Sequence, residues 1–249
     1  YVAPSVDYVI AKIPRWDLTK FAGVDREIGS SMKSVGEIMS IGQSIEEIMQ
    51  KGLRMIGQGM HGFVGNNDVE FEDLDKELSH PTDLRIFAIA QALEKGYTPE
   101  RIEELTKIDL FFINKLKNIV DYTKVLAQYN KIEELPVDVL KEAKRLGFSD
   151  FQIARYVENP QDTMEKGLLA VRAHRKKNGV VPTVRRINTV ASEHPELTNY
   201  LYMTYGKDEH SISYEYKNDK NIIVLGSGAY RIGSSVEFDW CGVQALKTI

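Results

Sequence analysis

Residues 96–126 read GYTPERIEELTKIDLFFINKLKNIVDYTKVL, and their punctuation decides the fold. Gly96 suits the left-handed position that closes a helix, so it ends a segment over 83–95. Thr98 then supplies an N-cap and Pro99 an N1 proline, opening a short helix over 99–107. Asp109 caps a longer one that begins LFFINKLKNIV. The same grammar continues downstream. Pro136 opens 136–146, Gly147 closes it, Ser149 caps 150–157, and 161–177 runs up to Gly179. Gly96-Tyr97-Thr98 with Ile102 is echoed by Gly147-Phe148-Ser149 with Ile153, each a stop, an aromatic, a cap and a short helix. Two copies are too few for a solenoid. The stretch 82–180 is predicted to be an all-α bundle.

Outward from the bundle the pattern changes on both sides. Residues 6–13, VDYVIAKI, carry apolar groups on both faces, which predicts a buried strand ended by Pro14. MKSVGEIMSI (32–41) is ambiguous between strand and helix. Ser44 stands three before Glu47, a capping-box spacing, and Ile45, Ile48, Met49, Leu53 and Ile56 follow at helical intervals. Residues 57–81, with Gly57, Gly59, Gly62, Gly65 and an acidic run from Asp68 to Glu77, read as a linker or a loosely attached edge. After Pro182, 184–191 and 200–205 look extended and 206–220 is polar and turn-rich. NIIVL (221–225) predicts a buried parallel-type strand, followed by GSGAYRIGSSVEFDW and a helix from about Val236. A lone strand-loop-helix cannot pair its own edges. With Tyr1 in place of an initiator Met, the expectation is the middle of a longer polypeptide.

Composition narrows the function classes. Of 249 residues, 43% are hydrophobic and 27% charged, with 18 Gly and 8 Pro, which excludes a disordered, low-complexity or collagen-like chain. Thirty-two Lys and Arg against 36 Asp and Glu leave a net charge of −4, a poor field for attracting nucleic acid or anionic lipid. The single cysteine, Cys241, sits in an apolar helical stretch, reads as an inert core thiol, and excludes an internal disulfide or a thiolate zinc site. His61, His80, His174, His194 and His210 never fall at metal-ligand spacing. The basic clusters Lys141 to Arg145 and Arg172 to Lys177, with Arg185 and Arg186, raise a helix-turn-helix nucleic-acid reading. Basic residues in a helix's last turn, however, also answer its dipole. No apolar run approaches the length of a membrane span. The expectation is a soluble cytoplasmic protein, with the mitochondrion as alternative, and neither nucleic acid nor membrane as partner.

Two further features point to sites. Gly226, Gly228 and Gly233 follow the predicted strand, as in a turn where backbone amides approach an anion near a helix N-terminus. The dinucleotide fingerprint wants a glycine where Arg231 stands, so a nicotinamide cofactor is a poor reading. The helix from Leu110 offers Phe111, Phe112, Ile113, Leu116, Ile119, Val120, Tyr122, Val125 and Leu126, a band too wide for one amphipathic face. Part of it is expected to meet a second partner, so the helical segment is expected to self-associate.

At the glycine loop the sequence resembles a known family. LGSGAYRIGSSVEFDWC (225–241) resembles the opening of the second synthetase half of the carbamoyl-phosphate synthetase large chain. PSVDYVIAKIPRWDLTKF and SSMKSVGEIMSIGQSIEEIMQKGLR resemble the end of its first ATP-grasp half. TKIDLFFINKLKNI, LGFSDFQIARYV and RRINTVASEHPELTNYLYMTY resemble the helical domain between the halves, and the resemblance runs in order along essentially the whole chain.

The resemblance implies a mixed fold. A predominantly α-helical oligomerisation domain over 82–213 would lie between two partial α/β segments: the tail of the first ATP-grasp half plus linker (1–81) and the start of the second half (214–249). It implies a parent ligase making carbamoyl phosphate from bicarbonate, ammonia or glutamine, and ATP, with magnesium or manganese on the phosphates. A glutamine amidotransferase, as a small subunit or a fused domain, would be its partner. The family's ATP and metal motifs fall on no residue here, so no catalytic, cofactor or metal residue is expected in 1–249, and the chain alone is expected to be inactive. Arg231 and Glu237 match positions that the family places along an internal passage for carbamate. The rival reading is a stand-alone helical interaction module without catalysis.

Overall fold

In a computed structural model, residues 7–56, 59–66, 69–157, 163–187, 200–210, 212, 221–226, 230–231 and 236–249 are described. Strand β1 (Val9–Arg15) pairs antiparallel with β2 (Gly36–Gly42), from Val9 opposite Gly42 to Arg15 opposite Gly36. Pro14 does not end β1 but sits in the ladder opposite Glu37. It is tolerated because β1 is the edge of its sheet, where a missing N–H breaks no second ladder. Nor is β1 buried on both faces: Val9 and Ile10 are exposed, since helix α1 (Ile45–Met55) covers only one side of the sheet. Ser44 caps α1 as its spacing predicts, its Oγ accepting from Glu47 N at 3.2 Å. Glu47 reaches back one residue further than in the standard box, accepting from Gln43 N at 2.7 Å.

The stretch 57–81 is the clearest correction among these elements. Phe63, Val64 and Leu78 are fully buried in the main core, and Asp73 caps a further helix, α2 (Leu74–Ser79), whose Leu74 and Leu78 face inward. Two buried amides hold the glycine-rich loop in place. Phe63 N donates to Gln50 Oε1 at 2.7 Å, while Gln152 Nε2 donates to the same oxygen at 3.1 Å and to Val64 O at 2.9 Å. The glycines and acids set the average composition, and four apolar residues set the packing.

The bundle follows the punctuation closely: α3 (Arg85–Glu94), α4 (Pro99–Thr106), α5 (Leu110–Leu126), α6 (Val137–Arg145), α7 (Asp150–Val157) and α8 (Met164–Lys177). The sequence echo is a repeated geometry. Tyr97 N bonds Ala92 O at 2.9 Å, and Phe148 N bonds Ala143 O at 3.0 Å, each the long bond of a Schellman stop. Ser149 and Gln152 form a full capping box, with reciprocal bonds of 3.1 and 3.0 Å. On α5, Ile113, Leu116, Ile119, Val120 and Leu126 are buried. Phe111 and Phe112 remain 54% and 50% exposed, so neighbouring helices cover most of the wide band but not its N-terminal end.

Beyond α8, β3 (Thr183–Arg186) and β4 (Leu201–Thr204) form an antiparallel pair, Ile187 N donates to Tyr200 O at 2.9 Å, and 188–191 of the expected extended stretch lie outside the described residues. The strand expected over 221–225 is not formed. Ile223 and Leu225 are 84% and 87% exposed, and among the described residues nothing pairs with this stretch. A parallel-type strand takes its burial from neighbours on both edges, which an apolar run cannot supply by itself. Instead β5 (Tyr230–Arg231) pairs antiparallel with β2, and α9 (Val236–Thr248) begins where expected. Cys241 on α9 is exposed, not a core thiol. The architecture is mixed and dominated by helix, and no helix of the described residues is long and apolar enough to cross a membrane.

One buried cation ties α6, α7, α8 and the end of β4 together. Lys144 Nζ donates to Phe148 O at 2.7 Å and to Asp150 Oδ1 at 2.8 Å, and lies 5.0 Å from the centre of the Tyr205 ring. Arg175 Nε completes the node, donating to Asp150 Oδ2 at 2.8 Å. Burial pulls the Lys144 ammonium down to about 8, against the pull of Asp150 and with Arg175 and Arg54 adding repulsion.

Two outcomes follow from this packing. Gly96 and Gly147 both adopt positive φ, +90° and +88°, but a Cβ at Gly96 meets open space while one at Gly147 lies 2.9 Å from Glu47 Cα. Urea denaturation should give a loss of about 1 kcal/mol for Gly96→Ala and roughly 3 kcal/mol for Gly147→Ala; equal losses would contradict the close approach. For Lys144, the folded chain releases the proton at about 8 and the unfolded chain near 10.5. Between these values the unfolded state binds more protons, so stability should rise with pH by about 3 kcal/mol. In Lys144→Met that rise should be lost, and parallel pH profiles for the two proteins would contradict the burial of the charge.

Candidate functional site

The strand β2 is where the two ends of the described chain meet. It pairs with β1 on one edge and with β5 on the other, Gly36 opposite Arg231 and Glu37 opposite Tyr230. Of the glycine-loop residues, Gly226 closes the exposed 221–226 stretch, while Gly228 and Gly233 lie outside the described residues. Arg231 is placed by its backbone at the last position of β5, and Glu237 by its backbone in the first turn of α9. The junction is therefore the short strand β5 paired on β2, with α9 following it in the chain. Its ladder partner Gly36 brings no side chain to the position opposite Arg231.

Glu37 is the residue at this junction that sequence spacing does not mark. Its carboxylate meets Lys12 Nζ at 2.8 Å, but both side chains are more than half exposed, so the pair is weakly held and screened by solvent. Only the cross-strand register brings Glu37 beside β5, and no local pattern within 32–41 carries that information. A cavity of about 730 Å³ opens beside it between β2, α1 and β4, lined by Glu37, Met39, Lys51, Arg54, Tyr202 and Met203 among others. Burial pulls the Arg54 guanidinium down, Asp150 and Glu47 oppose that, and its Nη1 donates to Gly147 O at 3.1 Å.

The remaining candidates are dispersed. His61 stacks on Phe151, His80 meets Ser79, His174 meets Leu135 O and His210 accepts from Val184 N; His194 lies outside the described residues. Among the described residues no three His, Cys, Asp or Glu side chains are grouped as metal ligands would be. Several of the basic residues are engaged within the chain: Arg145 with Glu142, Lys144 and Arg175 with Asp150, Arg185 with Asp7.

The family model described as the carbamoyl-phosphate synthetase large chain oligomerisation domain matches residues 37–179. The chain belongs to the carbamoyl-phosphate synthetase large-chain family. A second model, the carbamoyl phosphate synthase preATP-grasp domain, matches residues 218–249. Among relatives of this family, the multifunctional protein URA2 of Saccharomyces cerevisiae is 48% identical over 99% of the chain and 11% of its own length. The mitochondrial arginine-specific carbamoyl phosphate synthase large chain of Neurospora crassa is 49% identical over 99% of the chain and 20% of its own length. The multifunctional protein pyr1-3 of Dictyostelium discoideum is 47% identical, again over 99% of the chain and 10% of its own length. The chain thus spans about a tenth to a fifth of these relatives. The oligomerisation-domain match begins inside β2 and takes in α1, in keeping with the buried contacts of α1 to the bundle.

Proposed function

We propose that the chain is the connector between the two synthetase halves of a carbamoyl-phosphate synthetase large chain. The residues before β2 end the first half, the helical oligomerisation domain takes in α1 together with the bundle, and 214–249 open the second half. The parent enzyme then condenses bicarbonate and ammonia at the expense of ATP. ATP and its magnesium or manganese belong to the halves, with no ligand among these residues. The observation that carries the reading is the order of the two family matches, 37–179 and then 218–249, on one chain. Relatives named multifunctional proteins and relatives named large chains both occur, so the ammonia donor is a glutamine amidotransferase, fused or separate. Two relatives carry the mitochondrion in their names, which keeps both cytoplasm and mitochondrion open as compartments.

The resemblance to the family assigns Arg231 and Glu237 to a passage for carbamate, and we carry that role over as part of the proposal. Carbamate is a short-lived anion that must cross between active sites without meeting bulk water. Arg231 can hydrogen-bond its carboxylate, and Glu237 keeps the lining from becoming a purely cationic trap. The pairing of β5 with β2 supports a lining drawn from both ends of the chain, with Glu37 as a further acid beside Tyr230. For the helical part, self-association is supported by the description of the matched family model and by Phe111 and Phe112, an exposed edge-to-face pair with ring centres 5.3 Å apart.

Glu237→Gln in the full-length enzyme tests this. Each half's own ATP-using partial reaction should stay near the parent's, while carbamoyl phosphate synthesis falls by about tenfold or more. Unchanged synthesis would remove Glu237 from the passage. Collapse of both partial reactions would make it a folding residue.

A further inference from the structure

The carboxylate in the first turn of α1 serves more than its own helix. Glu47 is 2% exposed. Its Oε2 accepts from Gln43 N at 2.7 Å and from Thr204 Oγ1, on β4, at 2.9 Å; its Oε1 accepts from Lys51 Nζ at 2.9 Å. Lys51 spends all three ammonium donors here, reaching also Ile41 O at 2.8 Å and Met203 O at 2.6 Å. Thr204 is equally committed, its hydroxyl donating to Glu47 and accepting from Gly206 N at 2.9 Å. Gln43 Nε2 adds a bond of 2.6 Å to the Tyr202 hydroxyl.

The result is a charged clamp joining segments some 150 residues apart. It grips the C-terminal end of β2 at Ile41 and Gln43 and ties it to β4 at Tyr202, Met203 and Thr204. The other end of β2, Gly36 and Glu37, carries β5. Fixing one end of a strand only seven residues long fixes its twist and register at the other. The buried carboxylate leaves little latitude: an acceptor that loses a donor in so dry a site is costly, so the arrangement is held or broken as a unit.

We propose that Glu47, Lys51 and Thr204 are positioning residues that set the seating of β2 against β5. The alignment of the passage between the two halves therefore depends on a clamp that touches neither active site. This rests on the function proposed above. The clamp keeps the junction closed, and loosening it lets carbamate escape to water after ATP has been spent.

The test uses the full-length enzyme with Thr204→Val, which keeps the shape and removes the hydroxyl, Thr204→Ser, which keeps the hydroxyl, and Lys51→Met. ATP hydrolysed per carbamoyl phosphate formed should rise about threefold or more in Thr204→Val and Lys51→Met while both partial reactions persist. Thr204→Ser should restore the parent ratio. Deuterium exchange gives a readout independent of activity: peptides covering 36–42 and 230–231 should exchange about tenfold faster in Thr204→Val than in Thr204→Ser. Parent stoichiometry together with parent exchange in both disruptive variants would overturn the proposal. So would loss of both partial reactions with faster exchange throughout the chain, because the clamp would then hold up the fold and not one junction. If the parent enzyme makes no carbamoyl phosphate, the functional reading fails, and the exchange arm still decides whether the clamp seats β2.

Discussion

The inner face of α1 carries three polar side chains beside Ile48 and Leu53, and that constraint organises the rest of the chain. Glu46, Glu47 and Gln50 are 4%, 2% and 0% exposed, where an ordinary helix would bury leucines. Each demands partners, and the oxygens find them on different elements, while Gln50 Nε2 has none among the described residues. Glu46 accepts from Asn118 Nδ2 on α5 at 2.9 Å with Lys115 nearby. Glu47 is satisfied by Lys51 and by Thr204 of β4. Gln50 Oε1 holds the 59–66 loop and Gln152 of α7. Apolar contacts can slide past one another; these bonds cannot without stranding a buried acceptor. A single short helix thereby fixes sheet, loop, bundle and hairpin relative to one another.

Such a design suits a connector. Two bodies joined by a flexible linker would sample many relative positions. Here β2, near the start of the described chain, hydrogen-bonds β5, near its end. The bundle between them buttresses that meeting point through α1. Lys144 and Asp150 repeat the device one layer further out, a buried pair anchoring Tyr205 just beyond β4. Ionic nodes of this kind add little net stability compared with well-packed apolar groups, and their contribution lies in specifying one arrangement.

Local chemistry made the bundle legible. Thr98, Pro99, Asp109 and Ser149 are caps whose effect is confined to one turn, and Gly96 and Gly147 stop helices by backbone conformation alone, so sequence spacing reported them faithfully. What failed needed distant partners. The loop around Phe63 and Val64 was hidden by its glycines because Gln50 and Gln152, which satisfy it, lie 13 and 88 positions away. NIIVL has a strand's composition, and composition cannot supply a ladder partner. Pro14 was misread for the complementary reason, since only sheet order reveals that β1 is an edge. At the candidate site, Arg231 and Glu237 came from family resemblance, whereas Glu37 required the register of β2 against β5.

The central claim is that α1 belongs to one cooperative unit with the helical bundle, bound by its buried polar face, and is not the trailing helix of a separate body. Native-state hydrogen exchange tests this most directly. The account predicts that the amides of Ile48, Leu53 and the buried 63–64 loop open with the same free energy as those of Ile113, Leu116 and Ile119 at the heart of α5. Exchange of α1 together with β1 and β2 through a distinctly lower-energy opening, while the α5 amides stay protected, would contradict it.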